Sequence, residues 1–135
     1  MAESEHTNLE LVVAWLDAMR RHDLGAMERL FHTEVVWRGV PDDAICRDRA
    51  EVIEMLRERL DAGVPSTRAL ELVAGPDAVV LGVRSPHLHE IGDVALSGQL
   101  FNVFEVSDGS IVAVADYATR LEALEAAGAR EPDWR

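Results

Sequence analysis

Apolar residues near the start of the chain recur every three or four positions. The positions are Leu9, Val12, Val13, Leu16 and Met19, with Trp15 beside them. This period predicts an amphipathic helix. Thr7 and Glu10 have the spacing of a capping box, so we expect the helix to begin at Thr7. Basic residues at 20–22 are expected to end it.

The next segment predicts two more helices with a strand between them. Asp23 is expected to cap a short second helix with Phe31 on its apolar side. A strand of about residues 34–39 follows. The third helix begins at a box-like start at Asp48 and is expected to end at Gly63.

After the third helix the apolar period changes from 3.6 to 2. This change predicts strands over 67–74, 78–85, 94–106 and 110–118. Residues 75–77 (Gly-Pro-Asp) predict a turn, and Asp108-Gly109 predicts a tight hairpin. A last helix is expected from Thr119 to Gly128.

Because the helices precede most of the strands, we expect an α+β fold with an antiparallel sheet. The 135 residues fit a single domain, with 1–6 and 129–135 as loose tails. A strongly curved sheet needs a helix in its concavity. The first helix, with Trp15 and Met19, is expected to fill it.

Composition and charge indicate which partners and which cellular compartment to expect. The formal net charge of −12 disfavours nucleic acid and acidic membrane surfaces. The lone cysteine, Cys46, cannot form an internal disulfide, which fits a reducing cytoplasm. We find no secretory signal pattern and no apolar run long enough to cross a bilayer. A cytoplasmic protein is therefore expected.

The order of elements resembles the nuclear transport factor 2-like superfamily, a cone-shaped, cystatin-like fold. Residues 101–128 (FNVFEVSDGSIVAVADYATRLEALEAAG) look like the closing hairpin and terminal helix of SnoaL-like polyketide cyclases and limonene epoxide hydrolases. Residues 22–37 (HDLGAMERLFHTEVVW) resemble their second helix and first strand. The resemblance implies the fold. It leaves the activity open, because the superfamily includes isomerases, cyclases, hydrolases and proteins without catalysis.

Asp116 is the main candidate for chemistry. Period-2 alternation puts Val112, Val114, Asp116 and Ala118 on one face of the last strand, so the acid lies in an apolar row. Burial raises the proton affinity of a carboxylate, and such a group suits a general base. The resemblance agrees, because Asp116 matches the aspartate of the DY motif that works as a base in limonene epoxide hydrolases. The alternative is a structural acid that is bonded to the backbone or caps a neighbouring turn.

Arg84 shares a strand face with Val80 and Gly82. By resemblance it matches the arginine between two aspartates in the epoxide hydrolases, and it is expected to orient Asp116. Their second aspartate corresponds to Pro86, which cannot donate a proton. Epoxide hydrolysis would then need a substitute acid from His87, His89 or Glu90. A surface ion-pair arginine is the alternative.

Asn102 alternates with Leu100 and Phe104 on the long strand. By resemblance it occupies the position of an oxyanion-holding acid of ketosteroid isomerases, and its amide could donate to a carbonyl oxygen. The isomerases' tyrosine donor corresponds to Trp15, and their base corresponds to Trp37 or Arg38, so the isomerase set is incomplete. A satisfied polar core residue is the alternative.

An apolar pocket is expected around these polar residues. Its predicted lining is Trp15, Met19, Trp37, Leu56, Leu100, Phe104, Val114 and Ala118. The same residues could simply be core. His87 and His89 have a spacing that can bind metal, but the sequence supplies no third ligand, so neither a metal nor a cofactor is expected.

Two functions remain open from the sequence. One is a cofactor-independent enzyme acting on a small apolar carbonyl compound or epoxide, with Asp116, Arg84 and Asn102 as catalytic residues. The other is a binding or assembly module without chemistry. Phe101, Val103 and Ile111 are expected on the outer face of the sheet, which predicts a homodimer through that face.

Overall fold

The computed structural model describes residues 3–39, 45–62, 69–84, 90–91, 94–95 and 98–128. Within these ranges the helices are α1 (Glu3–Arg20), α2 (Leu24–Leu30), α3 (Arg49–Ala62) and α4 (Arg120–Ala127). The strands are β1 (Phe31–Arg38), β2 (Ile45–Cys46), β3 (Ala69–Ala74), β4 (Ala78–Arg84), β5 (Glu90–Ile91), β6 (Val94–Ala95), β7 (Gln99–Ser107) and β8 (Ser110–Tyr117).

Six of these strands form one curved, open sheet in the order β2-β1-β8-β7-β4-β3. The later strands pair antiparallel, as predicted, whereas β1 runs parallel to β8. The strands β5 and β6 form a separate pair. The α+β class with a curved sheet is therefore confirmed, and the parallel pair brings the first strand of the chain beside the last.

The main core lies between the inner face of the sheet and the helices. From α1, Val12, Trp15 and Ala18 are buried in one cluster that also contains Leu81 and Phe104. Burying apolar side chains is the dominant favourable term in folding. These three residues are spaced three apart, so they form one apolar stripe along α1 that faces the sheet. The prediction that α1 fills the concavity is confirmed.

The outer face of the sheet is partly covered by α4. Phe101 and Val103 lie on this face, as alternation predicted, but they are only 2% and 3% exposed. They pack in a second cluster with Ala123 and Ala127 of α4. The expectation that they form an exposed apolar patch is therefore wrong.

Ile111 was also expected on the outer face, and the structure corrects this. It is buried in the main core cluster. The ladder between β7 and β8 shifts register where Glu105 pairs with Ala113 and Val106 pairs with Ile111. Val112 is the extra residue of this bulge, so the side chains before it change face.

Several predicted boundaries move. The helix α1 begins at Glu3, so Thr7 lies inside it and residues 3–6 are helical rather than a tail. Phe31 opens β1 instead of ending the second helix. The predicted strand 94–106 is two strands, because Gly98 between them has a left-handed φ of 73°.

The predicted caps at Asp23, Asp48 and Thr119 and the predicted hairpin are confirmed. Side chains of Asp23, Asp48 and Thr119 accept hydrogen bonds from backbone N–H groups three residues on. Asp108 and Gly109 both have positive φ, 50° and 76°, as the tight hairpin turn requires. The predicted stop at Gly63 and the tail 129–135 lie outside the described residues.

Candidate functional site

Asp116 lies on the inner face of β8, next to Val114 and across the ladder from Asn102 of β7. It is 6% exposed, and Asn102 is 7% exposed. These are the two buried polar residues of the described part of the chain. A charged group is costly to remove from water unless it is well bonded, so the partners of this carboxyl determine its chemistry.

Two neutral side chains donate to the Asp116 carboxyl. The Trp37 indole Nε1 lies 3.2 Å from both Oδ1 and Oδ2. The Asn102 Nδ2 donates to Oδ1 at 2.5 Å. Oδ1 therefore accepts from both side chains, whereas Oδ2 accepts only from the indole N–H that it shares with Oδ1. Oδ2 is the oxygen with more unused capacity to accept a proton or a further hydrogen bond.

The parallel pairing of β1 with β8 explains how Trp37 reaches Asp116. Trp37 is in register with Val114, two residues before Asp116 on the same strand. Sequence reasoning placed Trp37 in the pocket lining but missed it as a donor. Pairing between the first and last strands of a chain leaves no local pattern that could have revealed it.

Burial raises the pKa of Asp116 above its ordinary value of 3.8. The hydrogen bond from Trp37, the positive charge of Arg59 and the hydrogen bond from Asn102 each offset part of this rise. Desolvation is the largest cause, because none of these partners is a cation in direct contact with the carboxyl. The result is a carboxyl with raised proton affinity.

Arg59 of α3 lies over the face of the Trp37 ring. Its Cζ is 5.7 Å from the centroid of the Trp37 ring, within range of a cation–π contact, and its side chain is exposed. Sequence reasoning missed Arg59. The available signal was its position on α3, three residues after the buried Leu56 and seven after the buried Val52.

Cys46 lies at the edge of the site. It pairs with Trp37 across the β1–β2 ladder, and its Sγ is 3.8 Å from the Met55 sulfur. Burial raises the pKa of its thiol, and the charge of Glu51 adds to the rise. The thiol is therefore held in its neutral form.

Aromatic rings enclose Trp37 on the core side. The Trp15 and Phe104 ring centroids are 5.1 Å apart in an edge-to-face contact, and Trp15 is 6.2 Å from Trp37. Phe31 packs edge-on against Trp37 at 6.5 Å. The Trp15 Nε1 is buried and has no hydrogen-bond partner in the part of the chain that the structure describes. Leaving a buried N–H unpaired costs about 1–3 kcal/mol.

The model of the family described as "SnoaL-like domain" matches residues 12–114. The chain belongs to the SnoaL-like family. The match spans α1 to the middle of β8, so it includes Trp37 and Asn102 and ends two residues before Asp116. No curated protein matches the sequence significantly.

Solved structures share the fold of this SnoaL-like domain at low sequence identity. A proposed polyketide cyclase from Xanthomonas campestris pv. campestris is 22% identical with a TM-score of 0.66, covering 87% of this chain and 94% of its own. A proposed ketosteroid isomerase from Kribbella flavida is 16% identical with a TM-score of 0.65, covering 97% and 85%. An LEH-like epoxide hydrolase from Mycobacterium tuberculosis is 17% identical with a TM-score of 0.62, covering 93% and 87%.

Arg84 does not reach Asp116 in this SnoaL-like domain. Alternation on β4 puts Leu81 and its neighbours Val79 and Val83 in the main core, so Arg84 faces the opposite side. Its side chain is 55% exposed and lies 3.7 Å from a Glu71 oxygen. The predicted orienting contact is therefore absent, and the alternative of a surface ion pair describes this arginine.

The predicted lining residues are partly brought together. Trp15, Trp37, Leu56, Phe104 and Val114 are buried in the main core, and Met19 packs against it. Leu100 is buried, and Ala118, just after β8, is half-buried. Two surface grooves are formed by described residues, one along α1 and β3 and one on the outer sheet face, and Asp116 lines neither.

Other predictions concern metals and membranes. In the described ranges no three His, Cys, Asp or Glu side chains are grouped as metal ligands. The side chains of His87, His89 and Glu90, and residue Pro86, lie outside the described part. The helices seen in the structure include none with the length and apolar character of a membrane span.

Proposed function

We propose that this SnoaL-like domain is a cofactor-independent enzyme that moves a proton on a small, mostly apolar molecule, with Asp116 as the base. One observation carries the proposal: a buried carboxyl with raised pKa is held by two neutral donors among aromatic rings. A general base works best when its pKa approaches the working pH, and burial is the usual way to raise it.

The roles of the other residues follow from their contacts. Trp37 and Asn102 fix the orientation of the carboxyl, and Oδ2, which shares one N–H, takes the proton. Asn102 is engaged with Asp116, so its predicted role toward a substrate oxygen passes to another donor. The unpaired Trp15 Nε1 fits that role, since it can donate to an oxygen that gains charge during the reaction.

Proton transfer next to a carbonyl is favoured over epoxide opening. In the first reaction Asp116 takes a proton from the α-carbon, the electrons move to the carbonyl oxygen, and the same carboxyl can return the proton. Opening an epoxide requires an acid for the leaving oxygen in addition to a base. No second carboxyl bonds to Asp116 among the described residues.

The experiment uses α-proton exchange. Cyclohexanone is incubated with the protein in D₂O, and deuterium uptake is followed by mass spectrometry, with cyclohexene oxide opening measured in parallel. Wild type is expected to exchange the ketone faster than the buffer does. Asp116→Asn should lower this excess rate by about 10²-fold or more, the contribution typical of a general base.

The matched control is Asp108→Asn, the same substitution at an exposed hairpin position whose positive φ asparagine accepts. Its rate should equal that of wild type. An Asp116→Asn variant that is folded and exchanges the ketone at the wild-type rate would remove Asp116 as the base.

A binding function without chemistry is the second candidate. It is favoured by the direct packing of Trp15, Trp37 and Phe104 on one another, which fills space beside Asp116. It is also favoured by the position of Arg84, which lies near Glu71 on the sheet face opposite the carboxyl. Saturable binding of the ketone without exchange by wild type would support this candidate over the first.

The homodimer stays a proposal of its own. The outer face of β1 and β8 holds a groove of about 380 Å³ next to α4, and its lining includes Val36, Arg38, Glu105, Ala113 and Ala115. A two-fold contact there could pair Arg38 of one copy with Glu105 of the other. A sedimentation velocity run showing only monomer at micromolar concentration would contradict it.

A further inference from the structure

Arg59, Trp37 and Asp116 form a continuous chain of contacts from the surface into the core. The Arg59 guanidinium lies 5.7 Å from the Trp37 ring centroid. The same indole donates its N–H to both carboxyl oxygens of Asp116 at 3.2 Å. One aromatic ring therefore has a cation on its face and an anion at its N–H edge.

This arrangement is cooperative on electrostatic grounds. An N–H that donates to a carboxylate moves electron density into the ring, and a richer ring attracts a cation on its face more strongly. In return, a cation on the face makes the N–H a better donor. The rings of Trp15, Phe31 and Phe104 pack against the indole. Arg59 adds a contact on the face of the same ring, whose N–H is directed at the carboxyl.

We propose that Arg59 is the positioning residue of this site, which through the face of Trp37 orients the Asp116 carboxyl and favours its ionised form. The proposal rests on the proposed function for its catalytic meaning, although the contacts themselves stand without it. It assigns to Arg59 the role that the sequence predicted for Arg84.

The other groups around Asp116 leave Arg59 as its main source of positive charge. The strands β1 and β7 present neutral partners, Trp37 and Asn102. On β2, Cys46 is a neutral thiol, because burial raises its pKa. Among the described residues, the cation on α3 is the one charge that lowers the pKa of Asp116.

Arg57 gives a matched control on the same helix. It is exposed and lies 3.2 Å from Glu54, so it is an ordinary surface ion pair away from Trp37. Arg57→Gln and Arg59→Gln each remove one positive charge from a chain of formal net charge −12. They differ in whether the charge lies over the indole ring.

The test is the carboxyl titration of Asp116 in the ligand-free protein, followed by ¹³C NMR in wild type and in both variants. Arg59→Gln should move the midpoint to higher pH, because the ionised form loses its cation. Arg57→Gln should move it clearly less. Arg59→Lys, which keeps a cation able to lie over the ring, should restore most of the wild-type midpoint.

The Trp37 indole N–H resonance gives a second readout. It should shift upfield in Arg59→Gln, as a weakened hydrogen bond requires, and stay in place in Arg57→Gln. Equal midpoints and equal indole shifts in the two Gln variants would overturn the proposal. A Lys variant that behaves like Arg59→Gln would also overturn it.

Exchange kinetics separate this proposal from the proposed function. In Arg59→Gln the acidic limb of the pH–rate profile for ketone exchange should move to higher pH with the Asp116 midpoint. If Asp116→Asn exchanged the ketone at the wild-type rate, Asp116 would not be the base, but the NMR result for Arg59 would still stand. An unmoved NMR midpoint would remove Arg59 while the base still stands.

Discussion

At the scale of single residues, the face of a strand decided which predictions succeeded. Alternation correctly placed Asp116 and Asn102 on the inner face, because both lie on strands whose apolar period is regular near them. Arg84 was assigned by resemblance to a position beside Asp116. The alternation of β4, with Leu81 buried in the core, puts it on the other side. The donor Trp37 and the cation Arg59 depend on tertiary contacts that a local pattern does not contain.

The raised pKa of Asp116 predicts a specific pH dependence of stability. The folded state binds the Asp116 proton more tightly than the unfolded state, whose pKa is near 3.8. Stability from this group is therefore fully present below 3.8 and is lost as pH rises through the folded pKa. Asp116→Asn should remove this loss, so its free energy of unfolding relative to wild type should improve as pH rises. Urea denaturation across that range measures the difference, and a difference that is independent of pH would contradict the prediction.

At the scale of elements, helix ends and tight turns were predicted well because their signals are local. The caps at Asp23 and Thr119 and the Asp108-Gly109 hairpin depend on residues within three positions of one another. The start of α1 at Glu3 was missed because the capping-box spacing of Thr7 and Glu10 indicated a later start. The division of the predicted strand at Gly98 was also missed. The placement of α4 over Phe101 and Val103 is a long-range contact, and no local pattern indicated it.

The packing of the end of α4 close to Gly75 predicts that a Gly→Ala substitution affects stability differently at Gly75 and at Gly25. A Cβ at Gly75 would lie 2.7 Å from the Ala127 carbonyl oxygen at the end of α4. Gly75→Ala should therefore displace α4 and destabilise the fold by about 1–3 kcal/mol. At Gly25 in α2 the nearest atoms are at ordinary contact distance, and Gly25→Ala should be neutral or stabilising by up to about 1 kcal/mol. Thermal unfolding of the two variants measures these changes in stability. Equal effects would contradict the close packing of α4 against Gly75.

At the scale of the whole molecule, the order of helices and strands was enough to predict the architecture. The SnoaL-like match and the shared fold of the solved structures agree with it. The reaction could not be predicted in the same way, because one fold supports cyclases, isomerases, hydrolases and binding proteins. The candidate chemistry of this chain depends instead on the contacts around one carboxyl, which involve Trp37, Asn102 and, over the Trp37 ring, Arg59.

The proton affinity of Asp116 is the property on which this account depends. Direct titration of its side-chain carboxyl by ¹³C NMR in the ligand-free wild-type protein, with Asp116→Asn used to assign the resonance, measures that property. We expect a midpoint clearly above 3.8, because burial outweighs the neutral hydrogen bonds and the charge of Arg59. A midpoint at or below 3.8 would show a well-solvated or ion-paired carboxylate and would contradict the proposed base.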